Sequence, residues 1–247
     1  MRLRILTYNI HRAIGLDRRF QPDRIADVLF HHDADIVLLQ EVDDGAPRSQ
    51  RLNLAKELAQ LVDYPHFAVG HNVQLRTGRY GNATLSRHPI LRERNIDLTI
   101  GRRKRRGCQH TTIDIEKRAG HVHRLEIFNL HLGLSPKERT QQIGKLVKSE
   151  EFRRLDSQQP TIVAGDFNDW RSLLHPIFTQ IRDFNCATQP DDELSGALRT
   201  FPSFSPTGGL DRVYCRGIKI LRTRRCRLKV SRVASDHLAV IVDLQLS

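Results

Sequence analysis

At 247 residues and 39% hydrophobic content, the chain is sized for one large domain spanning residues 1–247. No apolar run approaches the roughly 18 residues of a membrane-spanning helix. Lys and Arg number 40 against 28 acids, a formal charge of +12, which argues against a cationic substrate and for a polyanionic partner. That partner class holds nucleic acid, anionic lipid headgroups and phosphorylated small molecules, and a single domain of this kind is expected to act as a monomer.

The N-terminus opens directly on a strand, "RLRILTYNI" (2–10), with no secretory h-region before it. The helix "PDRIADVLFHH" (22–32) comes next, with Pro at its first turn. A buried strand, "DIVLLQEV" (35–42), precedes the amphipathic helix "QRLNLAKELAQLV" (50–62). A strand-rich middle reads "HFAVG", "YGNATLSR", "ILRERNIDL", "CQHTTIDIE" and "RLEIFNLHL". A helix is expected over roughly 136–155, then the strand "TIVAG" (161–165) and a helix after Trp170. "LDRVYCR", "IKILRTRRCRLKV" and "HLAVIVDLQL" close the chain as strands. Hairpins in the middle with helices at both ends predict a layered α/β fold with mixed sheets.

Cys108, Cys186, Cys215 and Cys226 are scattered and form no C-x-x-C pair. That spacing suits neither a zinc cluster nor a disulfide framework, so a reducing, cytoplasmic setting is expected. Two basic segments stand out. "GRRKRRG" (101–107) lies between two strands and reads as a mobile hairpin tip. "RTRRCRLK" (222–229) alternates enough for a strand with an exposed basic face. Neither interleaves the aromatic residues used for base stacking.

Polar residues recur where apolar strands end. "LTYNIH" closes on Asn9 and His11, "VLLQEV" brings Glu41, "YGNATLS" holds Asn82 and "IFNLHL" holds His131. "VAGDFND" supplies Asp166 and Asn168, "GLDRVY" supplies Asp211, and "ASDHLAV" supplies Asp236 and His237. So many buried polar groups would be costly unless they met in a shared site. Carboxylates and an amide oxygen are hard ligands suited to Mg²⁺ or Mn²⁺, and two histidines with a further Asp can bind an anion. Metal-assisted attack of water on phosphorus is the chemistry that set allows.

The ordered series "TYNIH … LLQEV … GNATLS … NLHL … GDFND … LDRVY … SDHLAV", spanning residues 5–241, resembles the endonuclease/exonuclease/phosphatase superfamily, the fold of DNase I and the exonuclease III-type abasic-site enzymes. The resemblance implies a four-layer sandwich, two mixed β-sheets face to face with helices outside. It also implies a divalent-metal-dependent hydrolase of phosphodiester or phosphomonoester bonds, with a nuclease favoured. Hydrolysis of a phospholipid or sugar-phosphate headgroup, and anion binding without catalysis, stand as alternatives. Glu41 matches the family's metal-binding glutamate, with Asn9 supporting and Asp236 near the metal. Asp166 matches the aspartate that orients or deprotonates water, and Asn168 the residue that holds phosphate oxygens. His237 matches the histidine on the scissile phosphate, oriented by Asp211. His131 falls at the second histidine of DNase-like members. Tyr80, Asn82 and His11 are expected substrate contacts, although His11 replaces an aspartate found in other members. Gly165 would let the backbone turn so that Asp166 and Asn168 enter the site, with Asp169 and Trp170 capping and packing the next helix.

Overall fold

Strands covered on both faces should read as near-continuous apolar runs, and the central strands here do. A computed structural model describes residues 1–116, 122–156, 158–180, 182–189 and 196–246. In chain order its strands are β1 (Arg2–Asn9), β2 (Ile36–Asp44), β3 (His66–Gln74), β4 (Arg79–Ser86), β5 (Ile90–Asp97) and β6 (Gly107–Glu116). They continue with β7 (Val122–His131), β8 (Thr161–Asp166), β9 (Asn185–Cys186), β10 (Asp211–Arg216), β11 (Lys219–Arg225) and β12 (Val240–Gln245). The helices are α1 (Pro22–His32), α2 (Leu54–Leu61), α3 (Pro136–Lys148), α4 (Glu150–Arg153), α5 (His175–Thr179) and α6 (Ser231–Ala234).

Two six-stranded sheets form, ordered β11-β12-β1-β2-β4-β3 and β5-β6-β7-β8-β10-β9. The β1/β2 and β7/β8 pairs are parallel and the other neighbours antiparallel, so both sheets are mixed. Side-chain alternation along β1 sorts the layers. Leu3 and Ile5 face the other sheet and pack with Ile36, Leu38, Ile127, Ile162 and Val242. Leu6 and Tyr8 face outward, into a core closed by Ile25 and Leu29 of α1 and Leu54 and Leu58 of α2. On the opposite side Phe128, Val163 and Tyr214 pack under Ile143 and Leu146 of α3, Phe152 of α4 and Phe178 of α5. The result is helix, sheet, sheet, helix. Among the described residues no helix is long and apolar enough to cross a membrane.

Several expected elements are trimmed for local reasons. The helix expected from residue 50 starts at Leu54, because Asn53 is extended and its side chain accepts from the Lys56 amide at 3.0 Å. The expected helix 136–155 breaks at Ser149, whose extended backbone ends α3 and whose hydroxyl caps α4. After Trp170 the helix begins only at His175. The basic strand ends at Arg225, where Cys226 turns into the core and Leu228 and Val230 pack beneath it. "GRRKRRG" does join two paired strands, β5 and β6, but it is not a free tip. Arg103 Nη1 donates to Glu138 at 3.1 Å, Lys145 Nζ bonds the Thr99 carbonyl at 2.6 Å, and Arg106 is buried.

Between the sheets a polar rung lies below the strand ends. Gln40 Nε2 donates to Thr7 Oγ1 at 3.1 Å and to Asn129 Oδ1 at 2.8 Å, and Asn129 Nδ2 donates to the carbonyls of Leu39 and Ala83. A one-residue slip of either sheet would orphan these buried groups, so the rung holds the two sheets in one alignment beneath the site.

Candidate active site

The strand ends do converge. His131, Asp166 and Asp211 are register neighbours on the last rung of β7, β8 and β10. Asn9, at the end of β1, reaches across from the other sheet and donates from Nδ2 to Asp166 Oδ2 at 3.0 Å. His237 enters on the segment leading into β12. The Ser235 hydroxyl steers that segment, donating to the Asn9 carbonyl at 2.6 Å and accepting from the His237 amide at 3.2 Å.

Asp166 is the hub. Its Oδ1 accepts from the Asn168 amide at 2.9 Å, while Oδ2 lies 3.5 Å from His131 Nε2 and 3.6 Å from His237 Nε2. Burial raises its pKa to about 6; the neighbouring Asp211 adds to the rise and the His237 charge opposes it. His237 Nδ1 bonds Asp211 Oδ2 at 2.9 Å. Burial works against the imidazolium, but Asp211 and Asp166 overcome it and lift the His237 pKa to about 10. His131 goes the other way: burial, then Arg106 and His237, hold it well below the usual range. One charged and one neutral histidine therefore flank a single buried carboxylate. Titratable groups separated in this way are the pattern that acid–base chemistry needs.

The turn that delivers Asp166 depends on Gly165. Its φ is +137°, and a Cβ there would stand 2.0 Å from the Leu130 carbonyl oxygen on β7. Gly165→Ala should lower unfolding free energy by about 2–4 kcal/mol through strain and strand displacement, read from denaturant unfolding. An unchanged midpoint would remove this account of the turn. Asn168 comes next but one, at φ +50°, and ties its Nδ2 to the Leu132 carbonyl at 2.9 Å. Asp169 serves the chain beyond, accepting from the Leu174 amide at 2.8 Å ahead of α5. Trp170 is 54% exposed and meets Phe201 edge-on, so it does not pack a helix.

Glu41 sits on a bulge of β2, where pairing with β4 shifts between Leu39 and Val42 and its own φ is +57°. Such a bulge re-aims a side chain out of the alternation. Its carboxylate lies 3.4 Å from Arg12 Nε, and among the described residues it accepts no hydrogen bond. Asn9 Oδ1 accepts from the His11 amide at 3.1 Å, and Asp236 Oδ1 lies 3.4 Å from Ser235 Oγ. The Glu41 carboxylate and the oxygens of Asn9 and Asp236 are donor types that a hard divalent cation takes. The tightest group of potential ligands among the described residues is instead Asp166, Asp211 and His237, within 4.8 Å of one another. With His237 protonated and bonded to Asp211, that trio offers no imidazole lone pair and is better matched to acid–base work.

The outer contacts divide. Tyr80 is buried with Arg48 and Lys104 each 5.5 Å from its ring centre, so it links the basic loop to the cleft wall. His11 bonds the Ile14 carbonyl through Nδ1 at 3.0 Å, leaving Nε2 for other partners. Asn82, expected as a substrate contact, is 1% exposed and spends its Nδ2 on the Gly107 and Asn129 carbonyls at 3.3 and 3.0 Å, while lining a small pocket with Tyr80, Arg106 and His131. Sequence reading missed Thr200, which donates to Asp211 Oδ2, and Arg106 and Arg12, which sit beside His131 and Glu41. "SDH" contains the signal for Ser235; Thr200 lies in a loop without any.

Residues 6–237 match the Endonuclease/Exonuclease/phosphatase family. The chain is 31% identical over 252 residues to the uncharacterized protein YbhP of Escherichia coli (strain K12), covering 98% of this chain and 96% of that one. An endonuclease/exonuclease/phosphatase from Beutenbergia cavernae shares the fold at TM-score 0.78 and 22% identity, over 100% of this chain and 72% of that one. So does the human Nocturnin catalytic domain, solved with a bound sulfate anion, at TM-score 0.77 and 19% identity over 100% and 94% of the two chains. The chain belongs to the endonuclease/exonuclease/phosphatase family.

Proposed function

We propose that the protein hydrolyses phosphodiester bonds by metal-assisted attack of water, with nucleic acid as the favoured substrate. The observation that supports this reading is the buried Asp166 held between neutral His131 and the Asp211-bound His237. Mg²⁺ or Mn²⁺ at Glu41, with Asn9 and Asp236 beside it, would supply Lewis-acid polarisation of a phosphoryl oxygen. Asp166, with a pKa of about 6, is mostly ionised at neutral pH and suited to align a water and take its proton. The His237 imidazolium donates from Nε2 toward a phosphate oxygen while Asp211 fixes its other nitrogen. Neutral His131 and the second amide hydrogen of Asn168 are further donors on the same wall.

Nucleic acid is favoured by the charge of +12 and by the exposed Arg102, Lys104 and Arg105 on a loop fixed at the Tyr80 wall. A lipid headgroup is the second reading, favoured by Leu134 and Trp170, 74% and 54% exposed after β7 and β8. The test is hydrolysis of single- and double-stranded DNA, RNA, a phosphodiester dye and lipid headgroups in vesicles, each with Mg²⁺, Mn²⁺ or EDTA. Oligonucleotides should be cut with metal and spared in EDTA, and Glu41→Ala should raise the metal concentration for half-activation at least about tenfold. Full turnover in EDTA would sink the proposal; turnover on vesicles alone would select the lipid reading.

A further inference from the structure

The basic segment 222–229 lies away from the catalytic wall and borders a groove. This groove, about 830 Å³, runs between the C-terminal end of α1 and edge strand β11. Arg4, Arg222, Arg224, Arg225 and Arg227 line it, together with His32. Register explains the crowding: Asp243 on β12 pairs with Arg4 on one side and Arg222 on the other. Asp243 accepts from Arg4 Nε and Arg224 Nη1, both at 2.6 Å, so two of the five guanidinium groups have a carboxylate partner. Arg4 is further held by the His32 carbonyl at 2.9 Å. His32 is 8% exposed, and its Nε2 is buried with no hydrogen-bond partner.

We propose that this groove is a second anion site that holds the phosphate backbone of a single nucleic-acid strand outside the catalytic cleft. The proposal rests on the phosphodiesterase reading above and names a part of its substrate contact. Three features select a strand over a compact anion or a membrane. First, the arginines are strung along the chain: Arg222 to Arg225 covers roughly 10 Å of β11, and Arg227 continues the row. Second, the surface is concave, whereas membrane association needs an exposed apolar face. Third, no Phe, Tyr or Trp lines the groove, and its lining is dominated by arginine, so it offers mainly charge to a backbone. The row also leads toward the catalytic end of the sheet, because Arg225 pairs with Val240, three residues after His237. Arg222 and Arg227 are exposed and make no hydrogen bond or ion pair among the described residues, while Arg225 uses one nitrogen on the Arg199 carbonyl at 2.7 Å. His32, its pKa pushed by burial to about 4, stays neutral and adds no charge to the groove.

The experiment compares the wild-type chain with a variant carrying Arg222→Ser, Arg225→Ser and Arg227→Ser, and with the matching triple Lys variant. Affinity for a single-stranded oligothymidylate longer than the groove is measured in EDTA across a salt series, so hydrolysis does not enter. The Ser variant should bind more weakly, with a salt slope flatter by about 0.7 per lost contact, or about 2 in all. The Lys variant should keep the slope, and all three proteins should turn over the phosphodiester dye equally with Mg²⁺. Unchanged affinity and slope in the Ser variant would overturn the proposal. So would equal losses in the Lys variant, or loss of inorganic phosphate binding with oligothymidylate affinity intact. Because the binding arm needs no turnover, a chain that hydrolyses nothing would sink the catalytic reading and leave the groove to be judged by its slope.

Discussion

Asp211→Asn and His237→Ala should each lower turnover by roughly 10²–10⁴, and the double variant should lose little more than the worse single one. The expectation comes from a unit in which neither residue works alone. Asp211 is fully buried at the start of β10 and commits Oδ2 to His237 Nδ1 and the Thr200 hydroxyl. Without that carboxylate, burial would win and the imidazolium would lose its hold near Asp166. The same change has a readout free of catalysis. In metal-free wild type the His237 ring should titrate at about pH 10 by NMR, and Asp211→Asn should bring it well below that. Stability is linked to the same titration. A folded-state pKa raised above the unfolded value of roughly 6.5 gives stability that is complete below about pH 6.5 and lost as pH rises toward 10. Additive losses in log rate, or an unmoved His237 titration in Asp211→Asn, would break the pair apart.

Legibility of the site from the sequence tracked one physical circumstance. Strands β1, β2, β7, β8 and β10 are buried on both faces, so they read as apolar runs and any polar residue closing them stands out. Asn9, His131, Asp166 and Asp211 were visible for that reason, and the sheets bring them to one end. The bulge that turns Glu41 out of β2 was not visible, because a positive φ at glutamate leaves no mark in composition. Nor was Thr200, whose loop has no periodicity and whose partner lies 11 residues on. The contacts of "GRRKRRG" with Tyr80 and Glu138 were not visible either, because those partners are far away in sequence. Only the packed sheets show that the Asn82 amide nitrogen serves backbone carbonyls, because Gly107 and Asn129 are far from it in sequence.

Asp166→Asn should drop turnover by roughly 10²–10⁴ while leaving a folded protein that still binds substrate. An amide of nearly the same shape cannot accept a proton from water at neutral pH, so the chemical step loses its base. The fold should persist because the substituted side chain keeps an oxygen that can accept from the Asn168 amide, which holds the turn after Gly165. The other end of the side chain loses a contact: its new NH₂ group would face the donating Nδ2 of Asn9, where a carboxylate oxygen now accepts at 3.0 Å. One hydrogen bond lost in a buried site corresponds to about 1–3 kcal/mol of stability, well short of unfolding a chain this size. Substrate affinity should hold or tighten, because removing a carboxylate lessens repulsion against a phosphate. Gly165→Ala should damage the fold before the chemistry, and Asp166→Asn the chemistry before the fold. Melting temperature, oligonucleotide affinity and turnover on the purified Asp166→Asn variant decide the matter. A stable variant with near-normal turnover would leave Asp166 a turn-forming residue and require another base for the water.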